Sequence, residues 1–358
     1  MINTREKEIR EKEIRERKEN QERAEKLLEQ LEKTQFIYKP TYIPRGNILT
    51  KEELQKMDIP QNVPTSTTSG STGIPTIIPK TRESIIWHIA TNLRELQWRK
   101  WNMNNKNLKK VSIVAKNKEN TIVGGHIHIR KLDTINNIQK YLENLQPHYI
   151  YTYPSIIEKI DLTKLNNVID IKTCGEIGAT SYSSEETGTI ALQCPDNSEL
   201  MHIMENIVVE VDENHGVLIT DLTNPLINRY ALTDHVVLGP KCPCGRTLTT
   251  IKYIHGRIRN MLMLPNGDKI WPTIGEPQFR TKISKKIERH QVVQSDYYTF
   301  EIRLKVTEKL NDEETTNLLN LVLKSLNQSY LTKDMFKILY VDEFPPGKFE
   351  SFKSFKSP

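Results

Sequence analysis

Two glycines spaced by small hydroxyl residues form the stretch of this sequence that is best suited to bind a phosphate. The run comprises Thr68, Ser69, Gly70, Ser71, Thr72 and Gly73. Glycine permits the positive φ angles of an anion-binding nest of backbone N–H groups, and the hydroxyls add further donors. A P-loop needs a lysine directly before its closing Ser or Thr, whereas the first lysine after this run is Lys80. The run therefore predicts a phosphate-binding loop outside the P-loop class, with a flexible linker as the alternative.

A second set of residues has the types and number that a metal site needs. Its members are Cys194, His202, Cys242 and Cys244. Three thiolates and one imidazole complete the four ligands of a structural Zn²⁺, and the Cys-Pro-Cys-Gly turn is compact enough to chelate. Two buried cysteines beside a surface turn are the alternative. Because the chain has four cysteines in 358 residues, a disulfide scaffold is not expected, and the remaining Cys174 is predicted to serve packing.

Hydrophobic periodicity predicts the elements that position these residues. Helix and strand patterns alternate over residues 82–102 (helix), 111–115 (strand), 134–145 (helix) and 148–153 (strand). This alternation predicts an α/β domain with the Gly-rich loop at the end of a strand. His126 and His128 lie in the same region, where they line an acyl pocket or simply alternate along a strand.

The pattern changes from about residue 271 onwards. Strands are predicted at 290–294 and 299–306, a helix at 312–326 and a last strand at 335–341. The resulting β-β-α-β piece has the size of a small separate domain.

The N-terminus differs from the rest of the chain. In residues 1–35 acidic and basic side chains alternate at i,i+4 spacing, which predicts a solvated helix. Only Leu27, Leu28 and Leu31 share an apolar face. Self-association through this helix and docking of its second half on the body of the protein are both consistent with the pattern. Residues 36–64 carry four prolines and predict an extended connector.

Charge and hydropathy exclude some classes of partner. The net charge is +6, but the basic residues are spread along the chain and form no nucleic-acid-binding module, so no nucleic-acid partner is expected. No apolar stretch approaches the roughly 20 residues that span a bilayer. The protein is therefore expected to be cytoplasmic and to have no membrane partner.

Several motifs in order along the chain resemble those of the adenylate-forming (acyl-activating) superfamily. Residues 71–76, Ser-Thr-Gly-Ile-Pro-Thr, are most similar to its phenylacetate-coenzyme A ligase branch, and the resemblance runs from about Pro64 to the C-terminus. The resemblance implies that ATP activates a carboxylate as an acyl-adenylate, with release of pyrophosphate. It also implies an α/β fold with a large N-terminal adenylate-forming core, residues 65–275, and a small α+β C-terminal lid, residues 276–358.

The segment from Tyr182 to Gly188 resembles the Tyr-Gly-x-Ser/Thr-Glu motif of that superfamily. The resemblance implies that Tyr182 stacks on adenine and that Glu186 helps to hold Mg²⁺. Glu185 stands where the motif has Ser or Thr, so the choice between the two acids stays open. Upstream, Gly175 and Glu176 resemble the Gly-Glu pair that lies against the purine.

Two further motifs follow. Residues 228–234 resemble Arg-Tyr-x-x-Gly-Asp, which implies that Asp234 accepts hydrogen bonds from the ribose hydroxyls, although Thr233 replaces the glycine. The segment that starts at Gly256 resembles Gly-Arg-x-Asp-Asp, which implies a phosphate contact for Arg257. Residues 259–260 are Arg-Asn and lack the acidic hinge of that motif.

A last motif lies near the C-terminus. Residues 344–349 resemble a Pro-x-Gly-Lys loop, which implies that Lys348 reaches from the lid to the substrate carboxylate and the α-phosphate. Lys353 and Lys356 lie nearby without the glycine context.

The leading functional hypothesis is an ATP-dependent acyl- or aryl-CoA ligase that takes a small-molecule carboxylate, with Mg²⁺ and coenzyme A as cofactors. Transfer of the acyl group to a carrier protein or an amine is the first alternative, because the acidic hinge is missing. A non-catalytic nucleotide-binding adaptor is the second. No motif identifies the acid.

Overall fold

The computed structural model describes residues 4–39, 41–61, 63–67, 76–114, 121–123, 126–130, 135–175, 179–257, 261–270, 284, 286–342, 344 and 352–354. Their contacts divide the chain into two compact units. Among the described residues, the larger unit extends to Ile254 except for Thr233–His235, and the smaller unit contains those three residues and the chain from His255.

The described α-helices are α1 (Thr4–Thr34), α2 (Lys51–Lys56), α3 (Arg82–Trp98), α4 (Ile135–Leu145), α5 (Pro154–Ile157) and α6 (Asp312–Leu326). Short 3-10 helices cover Leu162–Lys164 and Lys333–Met335. Within the described ranges, every helix is too short or too polar to span a lipid bilayer.

The strands up to residue 257 are β1 (Thr65–Thr67), β2 (Ile77–Pro79), β3 (Lys110–Val114), β4 (Thr121–Val123), β5 (His126–Arg130), β6 (Tyr149–Thr152), β7 (Asp170–Thr173), β8 (Ser181–Ser184), β9 (Gly188–Gln193), β10 (Met201–Ile203), β11 (Ile207–Asp212), β12 (Gly216–Asp221), β13 (Tyr230–Ala231), β14 (Asp234–Leu238) and β15 (Thr250–Arg257). Those that follow are β16 (Leu262–Met263), β17 (Lys269–Ile270), β18 (Ile287–Gln294), β19 (Phe300–Val306), β20 (Phe336–Tyr340) and β21 (Phe352–Lys353).

A five-stranded sheet in the larger unit has the order β4-β5-β3-β6-β7. Its last four strands are parallel, and β4 is an antiparallel edge. Ile113 and Ile150 are fully buried against Leu142 of α4. Apolar residues on α4 at i and i+4 spacing make this packing, as the helix period requires. The predicted alternation of strand and helix is confirmed here, and the mixed α/β class with it.

Further sheets are antiparallel, and most of their residues belong to the larger unit. One sheet has the order β14-β15-β10-β9-β8, and another has the order β11-β12-β13. Between them, Ile190, Leu192, Val217 and Ile219 form a core that is fully buried. This core supports the hairpins and turns on which most of the described candidate site residues lie.

The second half of α1 packs on α3. Ala24 is fully buried and Leu31 nearly so. Arg94 of α3, which has no exposed surface, donates to Glu32 of α1 at 2.9 Å and to Glu205 at 2.7 Å. A buried cation needs such partners, because desolvation would otherwise oppose its charge. The apolar face predicted around residues 27–31 is therefore a docking face within this chain.

Helix α3 ends at Trp98, whereas the periodicity predicted a helix to residue 102. The cause is tertiary. Arg99 donates to both carboxylate oxygens of Asp170 at 2.7 Å, and the Trp101 indole donates to the same side chain at 2.6 Å. Lys100 between them takes a φ of 57°, which terminates the helix.

The smaller unit contains the elements that were predicted for the C-terminal part. Its four-stranded sheet has the order β20-β19-β18-β21. Helix α6 buries Leu318, Val322 and Leu326 against Phe300 and its neighbours. The helix begins with a capping box, in which Asn311 and Glu314 each accept a hydrogen bond from the backbone of the other. The function of this unit as a lid, with bounds at 276–358, stays a prediction.

Candidate functional site

The Gly-rich run 68–73 lies outside the described residues, but the strands that flank it are described. β1 and β2 pair antiparallel, with Thr67 opposite Ile77. The described residues on either side of the run are therefore paired at one end of a hairpin. Just after the run, the buried Thr76 hydroxyl lies 3.1 Å from the Gln55 amide nitrogen of α2. The phosphate-binding function of the run stays a prediction.

Glu186 lies in the tight turn that joins β8 to β9, where Ser184 pairs with Gly188. The Thr187 backbone N–H donates to the Ser184 hydroxyl at 3.2 Å, which closes the turn. Gly188 has a φ of +75°, and a Cβ at this position would lie 2.6 Å from His88 Nδ1. Glycine is required here on both counts.

The Glu186 carboxylate is held from one side. The Tyr230 hydroxyl donates to its Oε1 at 3.1 Å, and among the described residues no donor reaches Oε2. The Lys80 ammonium group donates to the backbone carbonyls of Glu185 and Glu186. Glu186 is half-buried, and carboxylate oxygens are the type of ligand that Mg²⁺ prefers, but its function as a Mg²⁺ ligand stays a prediction.

The sequence motif indicated Glu186 but neither Tyr230, which contacts its carboxylate, nor Lys80, which contacts its backbone. Tyr230 belongs to the Arg-Tyr motif, and Lys80 is the first lysine after the Gly-rich run, so each carried a signal without an assigned role. Tyr230 lies 44 residues from Glu186 along the chain and Lys80 lies 106 residues from it, so no local sequence pattern predicts these contacts.

Tyr182 and Gly175 lie in well-packed surroundings. Tyr182 is 8% exposed and packs in the core of the larger unit with Trp98 and Ile190. Gly175 follows β7 with a φ of +73°, and a Cβ there would lie 3.0 Å from the Tyr153 ring. This position is the carboxyl edge of the parallel strands, where open α/β sheets bind ligands. Glu176 lies outside the described residues, and the adenine contacts stay predictions.

Asp234 begins β14 and is half-buried. The residue before it, Thr233, takes a φ of 60°, the left-handed conformation that favours glycine. Thr233 therefore keeps the left-handed backbone conformation that the glycine of the motif would favour. Asp234 belongs to the smaller unit, and its contact with ribose stays a prediction.

The remaining predicted residues are described only in their backbone or lie outside the described residues. Arg257 ends β15, but its side chain is outside the described part, as are those of His126 and His128 on β5. Residues 259–260 and Lys348 lie outside the described residues altogether. The functions assigned to Arg257 and Lys348 stay predictions.

The predicted metal ligands come together in the larger unit. One ligand atom from each of Cys194, His202, Cys242 and Cys244 lies within 4.8 Å of all the others. Cys194 and Cys242 Sγ atoms are 3.7 Å apart, and Cys244 Sγ is 3.3 Å from His202 Nε2. With Zn–S bonds of about 2.3 Å, a tetrahedral site separates two sulfurs by about 3.8 Å. These distances fit a closed four-ligand Zn²⁺ site.

Sheet topology explains how ligands far apart in sequence meet. Cys194 directly follows β9 and His202 lies in β10, which pairs with β9. Cys242 and Cys244 lie in the turn between β14 and β15, and β15 pairs with the other edge of β10. Three neighbouring strands therefore carry the whole set.

Burial shifts the pKa values of Cys194 and His202. It raises the pKa of the Cys194 thiol to about 12 and lowers the pKa of His202 to about 4. Burial also acts to raise the pKa of Cys244, but hydrogen bonds from the backbone and side chain of Arg246 lower it overall. Metal binding requires a neutral imidazole and thiolates, so the protein without metal must release protons to bind it.

A scan against protein-family models and a comparison with curated proteins both find no sequence match to this chain.

Solved structures match at the level of the fold. The chain is similar to 2-hydroxyisobutyryl-CoA ligase in the postadenylation state, in complex with R3-HIB-AMP, with a TM-score of 0.59 and 14% identity over 94% of this chain and 88% of that chain. An anthranilate CoA ligase in complex with anthranoyl-AMP matches with a TM-score of 0.51 and 14% identity, over 81% of this chain and 65% of its own. An amide bond synthetase from Marinactinospora thermotolerans matches with a TM-score of 0.50 and 11% identity, over 81% and 69%.

The chain therefore has the fold of the adenylate-forming ligases, and the resemblance inferred from the motifs is confirmed at that level. At these identities the likeness describes the fold and not the reaction.

Proposed function

We propose that this protein is an AMP-forming ligase that activates a small-molecule carboxylate with ATP and transfers the acyl group to a thiol. The observation that supports it most is the Glu186 carboxylate, held by Tyr230 on a hairpin turn within the fold of adenylate-forming ligases. The resemblance of residues 182–188 to the superfamily motif implies that this acid helps to hold Mg²⁺.

In the proposed first step, an oxygen of the substrate carboxylate attacks the α-phosphorus of ATP in line with the departing pyrophosphate. The P–O bond to the β-phosphate breaks as the acyl-adenylate forms. No general base is needed, because a carboxylate is ionised at neutral pH. Mg²⁺, when bound, neutralises phosphate charge beside Glu186.

The other residues bind and orient the nucleotide in this proposal. Residues 68–73 hold the β- and γ-phosphates, Asp234 accepts from the ribose hydroxyls, and Tyr182 and residues 175–176 border the adenine. Arg257 contacts phosphate with a planar set of donors. Lys348 offsets the charge that develops on the α-phosphate, an effect that is largest where water is excluded.

Coenzyme A is the proposed acyl acceptor, in line with the ligases of similar fold. Transfer to a carrier-protein thiol or an amine is the second candidate. Two observations favour it: residues 259–260 lack the acidic hinge of the motif, and an amide bond synthetase shares the fold.

ATP–pyrophosphate exchange across a panel of carboxylic acids tests the proposal. At least one acid is expected to support exchange, and thioester formation with coenzyme A then separates the two candidate acceptors. ATP binding without exchange for any acid would instead indicate a nucleotide-binding adaptor.

Lys348→Ala tests the proposed catalytic cation. Removal of one charge-stabilising group is expected to lower the rate of adenylate formation by about a hundredfold or more, with little change in ATP affinity. Lys356→Ala is the matched control, because it removes a nearby lysine outside the Gly-Lys loop. Unimpaired exchange in Lys348→Ala would mean that another group performs this function.

A further inference from the structure

Lys80 lies between β2 and α3 in a segment whose backbone is fixed at three successive residues. Its own N–H donates to the carbonyl of Pro64 at 2.7 Å. The Pro79 carbonyl accepts from the Asn224 amide at 2.9 Å, and the Thr81 hydroxyl donates to the carbonyl of Thr223 at 2.6 Å. Asn224 is fully buried, so this attachment to the turn after β12 excludes water.

From this fixed backbone, the Lys80 side chain reaches the turn that carries Glu186. Its ammonium group donates to the carbonyl of Glu185 and, at 3.3 Å, to that of Glu186. Hydrogen bonds from a charged donor are stronger than those between neutral groups. Because one ammonium group bridges two consecutive carbonyls, it restricts the backbone of the turn at Glu186.

Tyr230 restrains the carboxylate itself. Tyr230 is 3% exposed and packs with Leu54, Ile78 and Ile227. Its backbone is paired in β13, opposite Ile219. The hydroxyl that donates to Glu186 is therefore carried by a side chain with little freedom to move.

We propose that Lys80 and Tyr230 are positioning residues that hold Glu186 ready to receive Mg²⁺·ATP, Lys80 through the backbone of the turn and Tyr230 through the carboxylate. The inference deepens the proposed function and rests on it. Lys80 lies outside the motifs that resemble those of the superfamily, at a position that only the tertiary structure connects to the turn.

This positioning is expected to affect the affinity of the site for the metal ion and not the binding of the nucleotide base. A preorganised carboxylate binds a metal without first losing conformational freedom. Without Lys80 or the Tyr230 hydroxyl, binding must also order the turn, so a higher metal concentration is needed to fill the site. A purely electrostatic effect has the opposite sign, because removal of a nearby positive charge would favour a divalent cation.

Lys80→Met and Tyr230→Phe test the inference. The first keeps the length of the side chain and removes the ammonium group, and the second keeps the packed ring and removes the hydroxyl. The affinity for Mn²⁺ in the presence of a non-hydrolysable ATP analogue is measured by electron paramagnetic resonance. It is expected to fall about tenfold in Lys80→Met and about threefold in Tyr230→Phe.

The same variants are then assayed by ATP–pyrophosphate exchange over a range of Mg²⁺ concentrations. The Mg²⁺ concentration for half-maximal exchange is expected to rise by the same factors, with the maximal rate largely restored at saturation. Lys109→Met is the matched control, since the exposed Lys109 side chain also donates to a carbonyl, that of Leu145 at 2.7 Å. It is expected to leave both quantities unchanged.

The outcomes separate the inference from the proposed function. Absence of exchange in the wild-type protein would refute the proposed function, whereas an active wild type with unchanged metal affinity in both variants would refute the positioning. Tighter Mn²⁺ binding in Lys80→Met would also refute it. If Lys80→Met does not fold, Tyr230→Phe decides, because the loss of one hydroxyl leaves the core packing intact.

Discussion

Thr233 shows at the scale of one residue how the chain departs from a motif. Its φ of 60° is a conformation in which a β-branched side chain crowds the backbone, and its side chain is exposed. The motif that residues 228–234 resemble has glycine at this position. The chain thus retains the backbone conformation that glycine would favour and accepts strain in the residue before Asp234.

Thr233→Gly is expected to stabilise the protein by about 1 kcal/mol, because it removes the clash of Cβ with the backbone in the left-handed region. Denaturant unfolding of the variant and the wild type measures the difference. Thr233→Ala is the control, since it keeps Cβ and should recover only part of the gain. A loss of stability in Thr233→Gly would show that the threonine side chain makes a favourable contact.

At the scale of an element, α6 begins with a capping arrangement that depends on pH. Glu314 accepts from the Asn311 backbone at 2.9 Å, from the Ser284 hydroxyl at 2.7 Å and from Lys286 at 3.1 Å. The Asn311 hydrogen bond, followed by those of Ser284 and Lys286, lowers the pKa of Glu314 to about 2. All three contacts favour the ionised carboxylate.

A lowered pKa in the folded state contributes stability above the ordinary pKa of glutamate, about 4.3, and that contribution is lost as pH falls towards 2. Glu314→Gln is therefore expected to destabilise α6 at pH 7, and the difference from wild type should shrink between about pH 4 and pH 2. Hydrogen exchange of the α6 amides, corrected for intrinsic rates, measures this difference in helix stability. Glu313→Gln on the same turn is the control, and a gap between wild type and Glu314→Gln that stays constant over this range would contradict the assignment.

At the scale of the whole molecule, the Cys/His cluster connects two distant parts of the larger unit. Arg246, two residues after Cys244, donates to the Gln35 side chain at 2.8 Å, and its guanidinium lies over the Phe36 ring. Thr247 donates from its backbone to the Gln35 carbonyl at 2.9 Å. The turn that carries two metal ligands therefore also holds the residues that directly follow α1.

Removal of the metal is expected to loosen the N-terminal helix. If the cluster binds Zn²⁺, one equivalent per chain should be found by mass spectrometry, and chelation should speed proteolytic cleavage near residues 35–39. The reason is that the turn at Cys242 loses its cross-link, and the contacts of Arg246 and Thr247 depend on that turn.

Cys242→Ser should have the same effect without chelator, whereas Cys174→Ser, which changes a buried cysteine outside the cluster, should leave the metal content unchanged. Zinc loss without any change in the cleavage pattern would contradict the coupling.

The sequence by itself determined the local elements and the types of chemistry. Periodicity predicted the start of α4 to within one residue and both ends of α6 correctly. The reason is that apolar spacing and capping residues act over a single turn of helix. Side-chain type also indicated the four metal ligands as candidates, whereas Glu186 was indicated by the resemblance of residues 182–188 to a superfamily motif.

Only the tertiary structure decided which of these groups meet. Sheet pairing brought Cys194 and His202 to the turn at Cys242, and the packing of separate segments placed Lys80 and Tyr230 against the turn of Glu186. Packing also ended α3 at Trp98, where side-chain bonds to Asp170 outweighed a helical pattern that continued. Contacts between residues tens of positions apart depend on the packing of whole elements, and no local pattern in the sequence encodes them.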